Sequence, residues 1–255
     1  MELSVLDLFS GIGGFSVGLE STGKFKTVAF CEQDKFCQKV LQKHWKDIPI
    51  HEDIKKLDAR KIKADVVTAG FPCPAFSAAG KKGGFEQDNL FFDVIRICKT
   101  VKPKFIIFEN VENFKKWRNV LHKEVKNIGY EFEDAILDAR DFGLPQARRR
   151  YFAICFQRGM LFSPQHLQRF QRKQGKNFQR LLTNFKDSKR WWTPTINTKE
   201  EWRIIFSKSK RSRNINGISN RMDRLKCLGN SVCPQIITEI GQAIIKAEEE
   251  INEWN

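Results

Sequence analysis

The sequence predicts an α/β fold in which a doubly wound, mostly parallel sheet carries a smaller irregular lobe. Three observations predict it. Short apolar runs alternate with longer amphipathic stretches up to residue 156, as a sheet covered by helices on both faces requires. A glycine-rich turn stands where the first apolar run meets the first amphipathic one, and an acid closes the second run. From Gln157 the composition shifts to Gln, Lys, Arg, Ser and Asn interleaved with Phe and Trp.

Taken in order, strands are expected over residues 4–9, 27–31, 65–69, 105–108, 133–137 and 151–156, each a short run rich in Val, Ile, Leu or Phe. Helices are expected between them over 14–21, 35–44, 91–101 and 113–128, where the apolar residues recur at helical spacing. Near the end, Ile236, Ile237, Ile240, Ala243, Ile244 and Ala247 trace one face of a closing helix over 234–254 that packs back onto the first lobe. The chain thus divides into a first domain, 1–156, an irregular lobe, 157–222, and a returning segment, 223–255. It has no internal repeat, and Glu248-Glu249-Glu250 reads as a solvated helix face.

Composition narrows the function. With 255 residues, 41% of them hydrophobic and 22 of them Phe, the chain has material for one substantial core. It has no run of about 18 uncharged apolar residues, so a membrane span is excluded. Acids at Glu2 and Asp7 occupy the place where a signal peptide needs basic residues, so a cytoplasmic protein is expected. Seven cysteines never stand as Cys-x-x-Cys, which argues against a disulfide framework and against a zinc site; no metal is expected, and most of these thiols read as small core residues. The net charge of +15 calls for a polyanionic partner. That charge is local: residues 157–222 hold 16 Lys/Arg and three acids, leaving only +2 to the remainder.

The motifs supply the chemistry. Asp7-Leu8-Phe9-Ser10-Gly11-Ile12-Gly13-Gly14 forms a strand, a tight turn and a helix start, and Glu32 at the end of the next strand is placed to hold a ribose diol, which implies a nucleoside cofactor. Ser16 stands where a dinucleotide fingerprint would have its third glycine, so a nicotinamide oxidoreductase is disfavoured. After the strand ending at Ala69, Gly70-Phe71-Pro72-Cys73-Pro74 holds a cysteine between two prolines ahead of a Gly/Ala/Lys loop, the arrangement of a nucleophile under a lid. Glu109 ends the next strand, and Arg148 and Arg150, two apart, share a face if extended. A carboxylate, a guanidinium pair and a thiol converge where strand ends meet.

In this combination the sequence resembles the DNA cytosine-5 methyltransferases of bacterial and phage type. The resemblance rests on the Phe-Ser-Gly-Ile-Gly-Gly turn, Pro72-Cys73, Glu109-Asn110-Val111, Gln146-x-Arg148-x-Arg150 and Gly229-Asn230-Ser231-Val232, in that order. It covers nearly the whole chain outside residues 157–214. It implies a Rossmann-like, S-adenosylmethionine-dependent fold and an enzyme that flips a cytosine out of double-stranded DNA and methylates C5. Cytosine C5 is too weak a nucleophile to take a methyl group directly, so a Cys73 thiolate must first add to C6, and nearby Arg148 or Arg150 favours that thiolate. By resemblance Glu109 bonds and protonates N3 while Arg150 holds O2. The cofactor set carried over is Phe9, Ile12, Gly14, Glu32, Asp53, Ile54, Gly70, Pro72, Leu90, Asn230, Ser231 and Val232, with Gln33 where an apolar or aromatic residue usually stacks on adenine.

Pro74 replaces a usual Gln, residues 85–92 are shorter than usual and lack an Arg-Gly pair, and the arginine-rich block before Gly229 is reduced to Asn220-Arg221-Met222-Asp223-Arg224-Leu225. The basic lobe is then the target-recognition region, with Trp191-Trp192-Thr193-Pro194 and residues 207–213 as groove-entering loops. A monomer is expected, and a cognate restriction endonuclease is a partner the sequence leaves open. Two other readings rank below. A tRNA cytosine-5 methyltransferase carries Cys-Phe-Thr in its target region, where Cys155-Phe156-Gln157 here ends a strand; a catalytically silent DNA-binding partner subunit would not need Cys73, Glu109, Arg148 and Arg150 together.

Overall fold

The computed structural model describes residues 2–72, 90–144, 146–160, 227 and 229–253. Cys73 with the loop after it, and the recognition lobe from residue 161 onward, lie outside the described residues.

Among the described residues seven strands form one sheet: β1 (Leu3–Leu8), β2 (Phe25–Cys31), β3 (Ile50–His51), β4 (Val66–Ala69), β5 (Phe105–Val111), β6 (Tyr130–Asp138) and β7 (Arg149–Gln157), in the order β3-β2-β1-β4-β5-β7-β6. β1 pairs parallel with β2 and β4, β2 with β3, and β4 with β5. β7 alone runs against the rest, inserted antiparallel between β5 and β6. The central strands are buried almost throughout because helices cover both faces; all four residues of β4 are buried.

On one face, α3 (Leu90–Val101) and α4 (Arg118–Asn127) lay Phe91, Val94, Ile97, Leu121 and Val125 over Leu6, Leu8, Val67 and Ile106. On the other, α1 (Gly14–Glu20) and α5 (Pro234–Glu253) cover Val5, Val66, Phe105, Ile107, Phe152 and Ile154. The two helices touch closely: a Cβ on Gly18 would fall 2.6 Å from the Ile237 Cβ, and Thr238 Oγ1 donates to the Gly18 carbonyl at 3.1 Å. α2 (Lys35–His44) starts where the sequence predicts because Asp34 caps it, accepting from the Phe36 and Cys37 amides. Among the described residues no helix is long and apolar enough to cross a membrane.

Three expectations are corrected. The two-residue edge strand β3 was not foreseen. The helix expected over 113–128 is a 3-10 stretch, Glu112–Trp117, followed by α4. Three residues per turn puts Phe114 and Trp117 on one side, and both pack against the core cluster beneath α4. Finally, β5 continues past Phe108, since β7 extends the ladder to the Val111–Arg150 pair. Glu109 therefore lies inside a strand, not beyond its end.

Candidate active site

The carboxyl edge of the sheet is shaped first by the turn after β1. Phe9 and Gly11 both adopt φ +54 and Gly13 φ +86. Positive φ is rare for a bulky residue, so something must hold it. Ser10 does so twice, its hydroxyl donating to the Asp7 carbonyl at 2.6 Å and its amide to the Cys31 carbonyl at 3.2 Å. The Gly11 amide donates to Glu32 Oε2 at 2.7 Å, while Glu32 Oε1 accepts from the Asp34 amide at 2.7 Å. Glu32 thus joins the turn to the start of α2, and each of its oxygens retains a further lone pair.

Beneath the turn sits a residue that the motif reading missed. The Asp7 carboxyl is fully buried and accepts from Thr68 Oγ1 of β4 at 2.7 Å and from Ser16 Oγ of α1 at 2.8 Å. Burial pushes its pKa up to about 7, against the pull of those two hydroxyls, with the charge of Glu32 adding to the rise. The signal was present in the sequence as an acid between Leu6 and Leu8 in a strand covered on both faces.

The exit from β4 is fixed next. Phe71 is buried, its ring 5.4 Å from Phe114, 5.7 Å from Phe91, 6.2 Å from Phe108 and 6.5 Å from Phe9. Its carbonyl accepts from Asn110 Nδ2 at 3.1 Å. Asn110 of β5 thereby clamps the chain two residues ahead of Cys73. Pro72 is exposed, and Gly70 leaves a lane between Phe15 and Glu109: a Cβ there would lie 3.4 Å from the Phe15 ring and 3.5 Å from Glu109 Oε2.

Glu109 borders that lane. It is buried, with Arg150 Nε 3.2 Å from its Oε1, yet the pair is misaligned for a hydrogen bond and Oε1 has no hydrogen-bond partner among the described residues. Burial raises its pKa, and Arg150 and then Arg148 partly offset the rise. This carboxyl can therefore carry a proton where an exposed one would not.

The two arginines, equivalent in the motif, are not equivalent in the fold. Arg150 faces Glu109, whereas Arg148 Nη1 donates to the Gly229 carbonyl and Nη2 to the Ser231 carbonyl, both at 2.8 Å. Burial lowers the Arg148 pKa, and Arg150 adds to that. Arg148 so holds the segment 229–232 against the glycine turn, where a Cβ on Gly14 would fall 2.7 Å from Ser231 Oγ and 2.9 Å from Val232 Cγ1. The contact with Ser231 and Val232 is what demands glycine there.

The remaining predicted residues surround this edge. Ile12 is buried beside Cys37 and Cys227. Gln33 and Asn230 are exposed, and Val232 is buried. Asp53 Oδ1 accepts from the Lys55 amide, and the carbonyl of buried Ile54 accepts from Arg96 at 2.6 Å. Leu90, half-buried, opens α3.

A family model described as C-5 cytosine-specific DNA methylase matches residues 3–216. The chain belongs to this family. Among curated methylases it is 42% identical over 166 residues to the Type II methyltransferase M1.ScrFI of Lactococcus lactis subsp. cremoris, covering 62% of this chain and 42% of that one. It is 40% identical over 162 residues to the Type II methyltransferase M.HhaI of Haemophilus parahaemolyticus, covering 60% and 49%. The match therefore spans under half the length of either relative. Among solved structures, a triple mutant of Spodoptera frugiperda DNMT2 superposes with a TM-score of 0.65 at 18% identity, covering 96% of this chain and 100% of that one. The Entamoeba histolytica methyltransferase EhMeth does so with 0.61 at 16%, covering 96% and 98%. These two share the fold.

Membership of the C-5 cytosine methylases implies S-adenosylmethionine as methyl donor, and the residues present fit it. Glu32 has lone pairs to accept from a ribose diol, Gly70 leaves open the space that a side chain would fill, and the strained turn at Phe9 is held firmly enough to present a constant surface.

Proposed function

We propose that this protein is a DNA cytosine-5 methyltransferase that takes a cytosine out of the duplex, adds Cys73 to C6 and directs methyl transfer to C5. The observation that carries the reading is Glu109: a buried carboxyl with a raised pKa and an oxygen with no hydrogen-bond partner among the described residues, beside Arg150 and one strand away from the chain leading into Cys73.

Attack on C6 moves electron density onto the ring and toward N3, and an acid at N3 stabilises it. Glu109, its pKa raised by burial, supplies that acid and accepts from the exocyclic amine. Arg150, half-buried beside it, donates to O2 and so fixes which edge of the base enters. A free thiol near pKa 8.5 is mostly protonated at neutral pH, and the two guanidinium groups raise its thiolate fraction. When bound, S-adenosylmethionine would supply the sulfonium methyl group for C5; loss of the C5 proton from the adduct then expels the Cys73 sulfur. Phe9, Ile12, Gly14, Glu32, Gln33, Asp53, Ile54, Gly70, Pro72, Leu90, Asn230, Ser231 and Val232 form the donor site, with Glu32 on the ribose. Removing the base from the stack costs a few kcal/mol, offset by the contacts that Glu109 and Arg150 make with the base. The basic lobe, 157–222, meets the phosphates of double-stranded DNA as part of a monomeric, cytoplasmic enzyme.

The test is bisulfite sequencing of DNA from cells expressing the protein, with Cys73→Ala beside it. Modified cytosines in one sequence context are expected for the wild type and none for the variant, which still binds DNA. Stable covalent trapping on duplex DNA holding 5-fluorocytosine at that context completes the case. Turnover by Cys73→Ala, or modification of tRNA with DNA untouched, overturns the reading.

A further inference from the structure

Two cysteines outside the proposed chemistry meet in the fold. Cys37 is the third residue of α2, and Cys227 stands two residues ahead of Gly229. They are 190 positions apart in sequence, yet their Sγ atoms lie 2.9 Å from each other. Each is buried, at 4% and 5% exposure, and with Ile12 they make a small cluster against which Phe36 and Val40 pack.

Two kinds of chemistry fit a close thiol pair, and the distances separate them. Asp34 brings a third donor within 4.8 Å, the minimum outline of a metal site. Two thiolates on one tetrahedral zinc, each at about 2.3 Å, stand roughly 3.8 Å apart, farther than the sulfurs here. The Asp34 carboxylate is moreover engaged as the cap of α2, accepting from the Phe36 and Cys37 amides through Oδ1. A disulfide needs a sulfur separation of about 2.05 Å, so the 2.9 Å pair must close by only roughly 0.9 Å.

We infer that Cys37 and Cys227 are an oxidisable pair that a peroxide converts to a disulfide and a thiol reductant reopens, tying the segment that carries Asn230, Ser231 and Val232 to α2. In the first step one sulfur attacks a peroxide oxygen, the O–O bond breaks, water leaves and a sulfenic acid forms; in the second the neighbouring sulfur displaces that hydroxyl as a second water and the S–S bond forms. Both thiol protons leave in the two waters, both sulfurs are oxidised and the peroxide is reduced. Burial pushes the Cys37 thiol pKa up, and the adjacent sulfur pushes it further, so the pair responds to sustained oxidant more than to a brief pulse.

The consequence lies in what is tied. Arg148 already holds Gly229 and Ser231 by their carbonyls, and Gly14 admits Ser231 and Val232 at contact distance. A bond at Cys227 anchors the same segment two residues upstream, to the helix that follows Glu32. Closed, the pair keeps 229–232 on the glycine turn; open, that contact rests on hydrogen bonds and packing alone.

The experiment treats the full chain with hydrogen peroxide, blocks remaining thiols with an alkylating agent, and maps the unreduced digest by mass spectrometry. A peptide pair joined through Cys37 and Cys227, lighter by two hydrogens, is expected, together with a rise in Tm on the order of 10 °C that dithiothreitol reverses. Cys37→Ser and, independently, Cys227→Ala should each lose both the joined peptide and the rise. Recovery of Cys37 and Cys227 unlinked after other thiols have been oxidised overturns the inference. So does stoichiometric binding of zinc that shields both thiols from alkylation and disappears in Cys37→Ser.

Discussion

Replacing Asp7 by Asn probes the pH response of the frame under the site. The amide keeps the carboxyl's shape, accepting from one of the Thr68 and Ser16 hydroxyls and donating to the other. In the folded protein the Asp7 pKa is raised from 3.8 to about 7, so between those values the native chain holds one proton more than the unfolded chain. The sign follows: its stabilising share is complete below about pH 3.8, is lost as pH rises toward about 7, and changes no further above that. At about 1.36 kcal/mol per pH unit, the wild type loses about 2–3 kcal/mol through this group between about pH 5 and pH 8. Asn has no proton to lose. Urea unfolding of both proteins across that range should therefore show the variant gaining that amount on the wild type, other titrations being common to the two. A stability difference constant from pH 5 to pH 8 would refute the assignment of a buried, proton-holding carboxyl.

Three further outcomes are expected. Gly14→Ala forces Ser231 and Val232 off the glycine turn and should cost about 1–3 kcal/mol, with weaker binding of S-adenosylmethionine by calorimetry; an unchanged Tm and affinity would contradict the contact. Arg148→Lys keeps a charge but not the fork that reaches two carbonyls, so a loss of about 1 kcal/mol and faster proteolysis near residues 227–232 should follow, while a variant as resistant as the wild type would deny the clasp. Glu109→Gln should slow single-turnover methyl transfer by about 100-fold or more with donor affinity preserved. In the wild type, transfer through this acid falls as pH rises past the elevated Glu109 pKa, a limb absent from the Gln variant; a collapse in donor affinity would place the residue elsewhere.

Local signals carried far and distant ones did not. The start and end of α2 were legible because Asp34 caps it and the apolar spacing behind it is regular. The sheet was legible as runs of Val, Ile and Phe, whereas β3, two residues long, has no periodicity to read. Glu109 and Arg150 were expected together from their motifs and stand 3.2 Å apart. That Arg148 turns instead to the main chain of Gly229 and Ser231 depends on a segment 81 and 83 positions away. The same holds for Gly14, read from sequence as a cofactor contact and placed by the fold against Ser231. Asp7 was passed over because a strand pattern is scored by its apolar members, and a single buried acid looks like noise until its two hydroxyl partners are in place.

The packing of α5 on α1 has a consequence during synthesis. Gly18 and Thr238, which bond to each other, are separated by 220 residues, and the apolar strip of Ile236, Ile237, Ile240, Ile244 and Ala247 belongs to the core on that side of the sheet. When a ribosome has finished β7, the nascent chain already possesses every strand of the sheet, but α1 alone covers one greasy flank. At about 5–20 residues per second, that flank waits on the order of ten seconds for α5 to be translated, and meanwhile its apolar surface stays open to premature association.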